Sequence, residues 1–231
     1  CSGSIYPFLI SEPLLKINED FDWLPAGAES WEVSDDGLTW TFHIRKGLEW
    51  SDGVPLTAED YEYMYQRMAD PVVGFDWGWF FTDIKNFSAV QKGEMAVADL
   101  GVKAVDDYTL EITTVAPEPY FPVKQIMQVP APKHIAEKDE IPGAWSASPE
   151  TCVSSGPYKL TEWTKGKELV FEINENYKGP FKPYIEKQVY YVSDPEAVMP
   201  AYWAGDIDAV AYAGQAGITA ADIAKGKGDA A

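Results

Sequence analysis

Cysteine is nearly absent from this chain of 231 residues, which holds only Cys1 and Cys152. Two thiols can build neither a disulfide framework nor a four-thiolate metal centre, so stability has to come from burial. A single Cys1–Cys152 bridge stays open as an alternative in an oxidising compartment. Histidine is as sparse, with only His43 and His134, and neither has a second ligand at helical spacing, so no metal site is expected. No apolar run reaches the ~20 residues that a transmembrane helix needs, and the N-terminus lacks a basic segment followed by an apolar signal core. Positive charge is also scarce: 18 basic residues face 37 acidic ones, a net charge of −19. Such a field repels phosphate backbones, so nucleic acid is not an expected partner. Catalytic signatures are missing too, with no nucleophile elbow, zinc-protease pair, phosphate loop or dinucleotide fingerprint.

What the chain has in quantity is apolar and aromatic surface. It is 46% hydrophobic and 14% aromatic, with nine Trp and thirteen Tyr, enough for one sizeable core or two small ones. Leu38, Trp40, Phe42 and Ile44 alternate with polar residues, the period of a strand with one buried face, fed by the Asp35-Asp36-Gly37 turn. Thr57 and Asp60 form a variant capping box for a helix through Tyr61 to Met68, which Asp70-Pro71 ends. Val102 to Val105 and Tyr108 to Thr113 read as a hairpin about Asp106-Asp107. Between helix and hairpin lies Gly74 to Phe81, too aromatic for a solvated loop and too interrupted by glycine for a regular helix.

Prolines from Pro117 to Pro132 predict a short helix over Phe121 to Met127 and then an extended crossing segment, with a boundary near Ala131 that divides the chain into 1–130 and 131–231. Beyond it, Tyr158 to Trp163, Glu168 to Asn174 and Tyr184 to Val192 read as strands. A helix opened by Pro195 and closed by Gly205 follows, then a strand over Ile207 to Tyr212 and a short helix over Thr219 to Ala224. The fold class expected is mixed α/β and rich in sheet. The paired acids Asp35-Asp36 and Asp106-Asp107 could suggest glycosidase chemistry. Both pairs occupy turns, where Asp is favoured for local backbone hydrogen bonds.

The motifs resemble a family. Ala28-Glu29-Ser30-Trp31 through Leu38-Thr39-Trp40-Thr41-Phe42, then Trp50-Ser51-Asp52-Gly53, resembles the signature of the family 5 extracellular solute-binding proteins. Asp99-Leu100-Gly101-Val102, Ser155-Gly156-Pro157-Tyr158, Asn176-Tyr177 and Ala204-Gly205-Asp206-Ile207-Asp208 continue it in order. The resemblance implies a class II periplasmic-binding-protein fold, of which this chain holds one lobe with its extra sub-domain. The second lobe, the first strand of lobe one and the returning C-terminal segment are expected to be absent.

The resemblance further implies a substrate-binding subunit of an ABC importer, not an enzyme, that works without a cofactor. It would capture oligopeptides or a similar extended solute in the periplasm or outside the cell, anchored or free, and hand it to the transporter's membrane subunits. The alternatives are an oligosaccharide receptor of the same family or a stand-alone carbohydrate-binding or glycan-processing domain. Position matching puts Trp77 at the ligand, with Trp79 beside it. The other role for either ring is to cover the hairpin. The loop Ala211, Tyr212 and Ala213 and the segment carrying Ser2 and Ser4 are further ligand candidates. Trp31, Trp40, Trp50 and Gly156-Pro157-Tyr158 are expected to be scaffold.

Overall fold

The computed structural model describes residues 9–125, 128–139, 143–210, 218–219, 222 and 225–226. Three antiparallel sheets organise these residues. Strands β1 (Leu15–Ile17) and β2 (Trp23–Pro25) form a small hairpin. Its turn is built by Asn18, whose Oδ1 accepts the amides of Asp20 at 3.0 Å and Asp22 at 2.7 Å. These strands, and β3 (Ala28–Val33), were not visible as strands in the sequence. Three residues are too few to show alternation, and Trp31 is the one large apolar side chain that β3 turns toward the core.

The four-stranded sheet runs β3-β4-β6-β5, with β4 (Thr39–Ile44), β5 (Val102–Asp106) and β6 (Thr109–Thr113). Alternation in β4 holds as expected: Trp40, Phe42 and Ile44 are buried and Thr39, Thr41 and His43 face outward. Phe42 lies opposite Leu110 and Trp40 opposite Ile112, so the register collects the large side chains on one face. Helix α1 (Ala58–Ala69) covers that face across β5 and β6, burying Tyr61, Tyr65 and Met68. The Asp60 carboxylate accepts the Thr57 amide at 3.0 Å, the expected capping contact. A short helix α2 (Phe87–Gln91) packs beside α1. The resulting cluster runs from Leu14 to Phe121 and includes Trp40 and Trp50, with Trp31 packed against it, in agreement with a scaffold role.

Helices α3 (Phe121–Lys124) and α4 (Lys133–Ala136) carry the chain across to the second region. The helix expected to reach Met127 ends at Lys124, and residues 126–127 lie outside those described. Strands β7 (Tyr158–Thr164), β8 (Glu168–Ile173) and β9 (Lys187–Tyr191) then form a meander over a smaller cluster of Cys152, Tyr158, Leu160, Leu169 and Phe171. Burial pushes the Cys152 thiol up to about 11, so it packs as an inert apolar group; Cys1 lies outside the described residues. Helix α5 (Pro195–Ala204) ends at Gly205 with φ of 80°, the left-handed stop predicted for it. The strand expected over Ile207 to Tyr212 is not formed at 207–210, where no described strand offers a ladder partner; the helix expected over Thr219 to Ala224 falls largely outside the described residues.

Polar ties join the two clusters. Ser51 and Ser154 bond reciprocally, Ser51 N–H to the Ser154 carbonyl at 2.7 Å and Ser154 N–H to Ser51 Oγ at 2.9 Å. The Asn176 side-chain amide donates to the Ser51 carbonyl at 3.0 Å. Glu12, fully buried, accepts from Tyr177 Oη at 2.9 Å and from Lys16 Nζ at 3.0 Å. Gly156 is needed here because a Cβ would lie 2.5 Å from the Ser11 amide nitrogen.

Candidate functional site

The segment after α1 carries the most exposed large aromatic pair of the described residues. Asp70 Oδ1 accepts the Val72 amide at 2.8 Å and turns the chain away from the helix, and Gly74 at φ 64° continues the turn. A single 3₁₀ turn over Gly78–Phe81 follows. Gly78 is buried there because a Cβ would meet the Gln91 amide at 2.0 Å, so the turn lies flat on α2. Gln91 Nε2 also donates to the Phe75 carbonyl at 3.4 Å.

This backbone sends neighbouring side chains in opposite directions. Phe81 enters the core, 6.0 Å from Tyr65 and 5.9 Å from Phe87 between ring centres. Trp77 and Trp79 point outward, 60% and 68% exposed, with ring centres 6.4 Å apart and planes inclined by 26°. Phe80 links the two sets, edge-on to Trp79 at 5.8 Å and to Phe81 at 5.2 Å. The outer indoles therefore stand at the end of a continuous aromatic array whose inner members are locked in the core.

One cation belongs to the array. Lys124 Nζ sits 5.7 Å over the Phe80 ring and is paired with Asp83 at 2.8 Å and Glu118 at 4.0 Å. The sequence gives no sign of Asp83 or Lys124 at this site, because Lys124 reaches it from α3, 44 positions beyond Phe80. Beneath them the Tyr65 hydroxyl donates to Gln125 Oε1, and burial raises the phenol pKa well above its ordinary value.

Of the sequence candidates, Trp77 and Trp79 are brought together on the surface, each more than half exposed. Ser2, Ser4, Ala211, Tyr212 and Ala213 lie outside the described residues.

Other groups have structural partners. Asp36 Oδ1 accepts from Ser34 Oγ at 2.6 Å and from the Leu38 amide at 3.1 Å, and these bonds hold its pKa below the ordinary carboxylate value. Asp106 Oδ1 accepts the Tyr108 amide at 2.8 Å. Both acids therefore do the turn work expected of them. His134 Nε2 lies 2.8 Å from Asp52, and His43 lies 3.6 Å from Glu32. Among the described residues no three His, Cys, Asp or Glu side chains converge as metal ligands. An open hollow of ≈ 660 Å³ at one end of the four-stranded sheet is lined by Glu29, Ser30, His43, Lys46, Asp106 and Tyr108, but its Asp106 is already committed to the turn.

Trp77 and Trp79 thus form an exposed aromatic pair, and among the described residues no cluster of metal-ligand side chains lies beside it. Residues 22–230 match the family described as "Bacterial extracellular solute-binding proteins, family 5 Middle", and the chain belongs to that family. The dipeptide-binding protein DppE of Bacillus subtilis (strain 168) is 35% identical over 201 residues, which cover 86% of this chain and 37% of DppE. The probable deoxycholate-binding periplasmic protein YgiS of Escherichia coli (strain K12) is 35% identical over 189 residues, 80% of this chain and 35% of YgiS. Listeria monocytogenes OppA bound to peptide superposes with a TM-score of 0.80 at 26% identity, covering 89% of this chain and 43% of that one. The chain thus spans a little over a third of the length of the curated relatives it matches, and its mixed α/β architecture is that of a periplasmic binding protein.

Proposed function

We propose that this chain is the solute-capturing component of an ABC importer, which takes up peptides outside the cytoplasmic membrane and passes them unchanged to the transporter's membrane subunits. The observation that carries this reading is the exposed Trp77–Trp79 pair, rigidly backed, in a chain of this family. Relatives named for dipeptide and oligopeptide binding support peptides as the solute class. One acid of each pair, Asp36 and Asp106, accepts a backbone amide within its own turn, which favours a structural role for the pairs over chemistry on the solute.

The division of the chain near Ala131 belongs to the same proposal. The fully buried members of one hydrophobic cluster end at Phe121 and those of the other begin at Cys152, while Val153 packs against the first and Leu9 and Ile10 against the second. Tyr212, Ala211, Ala213 and Ser4 remain proposed ligand contacts alongside Trp77 and Trp79.

A second reading, an amphipathic steroid acid, takes its support from the relative named for deoxycholate. A net charge of −19 disfavours an anionic solute, so peptides come first. Calorimetric titration of the chain with pools of short peptides, with deoxycholate and with oligosaccharides separates these classes. Heat from the peptide pool alone is expected, and only weakly, because one lobe supplies only part of the differential affinity that drives closure. A response to sugar or bile acid with none to peptide would overturn the proposal.

A further inference from the structure

The outer end of the aromatic array has a charge character as well as a shape. Trp77 and Trp79 present indole faces, which carry negative electrostatic potential, and the exposed carboxylate of Asp76 immediately precedes them in a chain of net charge −19. The same array already holds one cation at its inner end, where Lys124 lies over Phe80. Asp83 and Glu118 pair with that ammonium, so it is committed and does not reach the outer rings as a free charge. Among the described residues no lysine or arginine of the chain lies over Trp77 or Trp79. The outer faces are thus open to a cation supplied from outside.

We infer that Asp76, Trp77 and Trp79 form a subsite for the guanidinium group of an arginine side chain in a bound peptide. This rests on the peptide-receptor reading above and adds a side-chain preference to it. A guanidinium is planar and weakly hydrated, so it lies flat on an indole, and its edge N–H groups pair with a neighbouring carboxylate, for which Asp76, the exposed residue before Trp77, is the candidate. An ammonium is compact and strongly hydrated and gains less from the same surface. A neutral ring can stack but leaves Asp76 unpaired, and an acidic side chain is repelled. Gly78 on Gln91 and Phe81 in the core anchor the backbone of the turn that carries the indoles.

The test is a titration of the 231-residue chain with Gly-Arg-Gly, Gly-Lys-Gly, Gly-Phe-Gly and Gly-Glu-Gly. The readout is the indole N–H resonances of Trp77 and Trp79, assigned from the Trp77→Phe and Trp79→Phe variants. Gly-Arg-Gly should shift both signals saturably, with roughly 3- to 10-fold tighter apparent binding than Gly-Phe-Gly. Gly-Lys-Gly should fall between them, and Gly-Glu-Gly should leave both signals in place. In Asp76→Asn the arginine advantage should shrink to within about 2-fold, with the circular dichroism spectrum unchanged.

Peptide binding that moves other resonances, or moves these two equally for Arg and Phe, overturns this inference and leaves the receptor reading standing. If none of the peptides, nor the peptide pool, binds at all, both fail.

Discussion

The two hydrophobic clusters differ in how far each is closed. In the first, the four-stranded sheet is roofed by α1, and Phe42, Trp50, Tyr61, Tyr65, Phe87 and Phe121 are all shut away from solvent. In the second, Phe171 is the one side chain of that size so fully buried among the described residues, while Tyr184, Ile185, Tyr191 and Val192 around β9 lie exposed. A sheet with one covered face stays at the margin of stability, whereas one roofed by a helix carries its own core. The second region therefore leans on its ties to the first, through Ser51–Ser154 and Glu12–Tyr177.

Truncating the two cores should affect stability most, and unequally. Phe42→Ala should cost about 3–5 kcal/mol, read as a fall in the urea midpoint, and Phe171→Ala about 2–3 kcal/mol, because the open sheet collapses more easily around the gap. Equal losses would mean that the two regions are equally closed.

A smaller and pH-dependent effect tests the ties. Burial raises the Glu12 pKa above its ordinary value against the lowering pull of Lys16, so the folded state prefers the protonated acid. Its contribution is complete below the unfolded pKa and is lost as pH rises through the folded one. Glu12→Gln, which cannot ionise, should therefore gain on the parent chain as the medium goes from about pH 4 to about pH 7, measured by urea midpoints. A difference that stays constant over that range would remove Glu12 as a titrating element of the junction.

The smallest effect sharpens the contrast within the aromatic array itself. Trp79→Leu should change stability by less than about 0.5 kcal/mol, because its ring is mostly in solvent. Phe81→Ala, two positions along, should cost about 3 kcal/mol or more. A large loss at Trp79 would recast it as part of the core.

Much of this fold was legible beforehand, and for identifiable reasons. The alternation in β4, the Thr57–Asp60 cap, the Asp106-Asp107 hairpin and the Gly205 stop all depend on neighbours within a few residues. The strands β1, β2 and β3 escaped because they are too short or too exposed to show a period. The expected strand at Ile207 failed because a strand needs a partner that its own residues cannot supply. At the candidate site the aromatic run was conspicuous, and Trp77 and Trp79 could be named. Their mutual stacking and the seating of Lys124 over Phe80 could not.

What the sequence determined by itself was the family and the local conformations, because caps, turns and periods are set by backbone geometry and near neighbours. Only the tertiary structure decided that Phe81 faces the core while Trp77 and Trp79 face solvent. All are large aromatics within five residues, and no local preference distinguishes them. Phe81 is placed in the core by its packing against Tyr65 and Phe87, which the chain brings together from other elements.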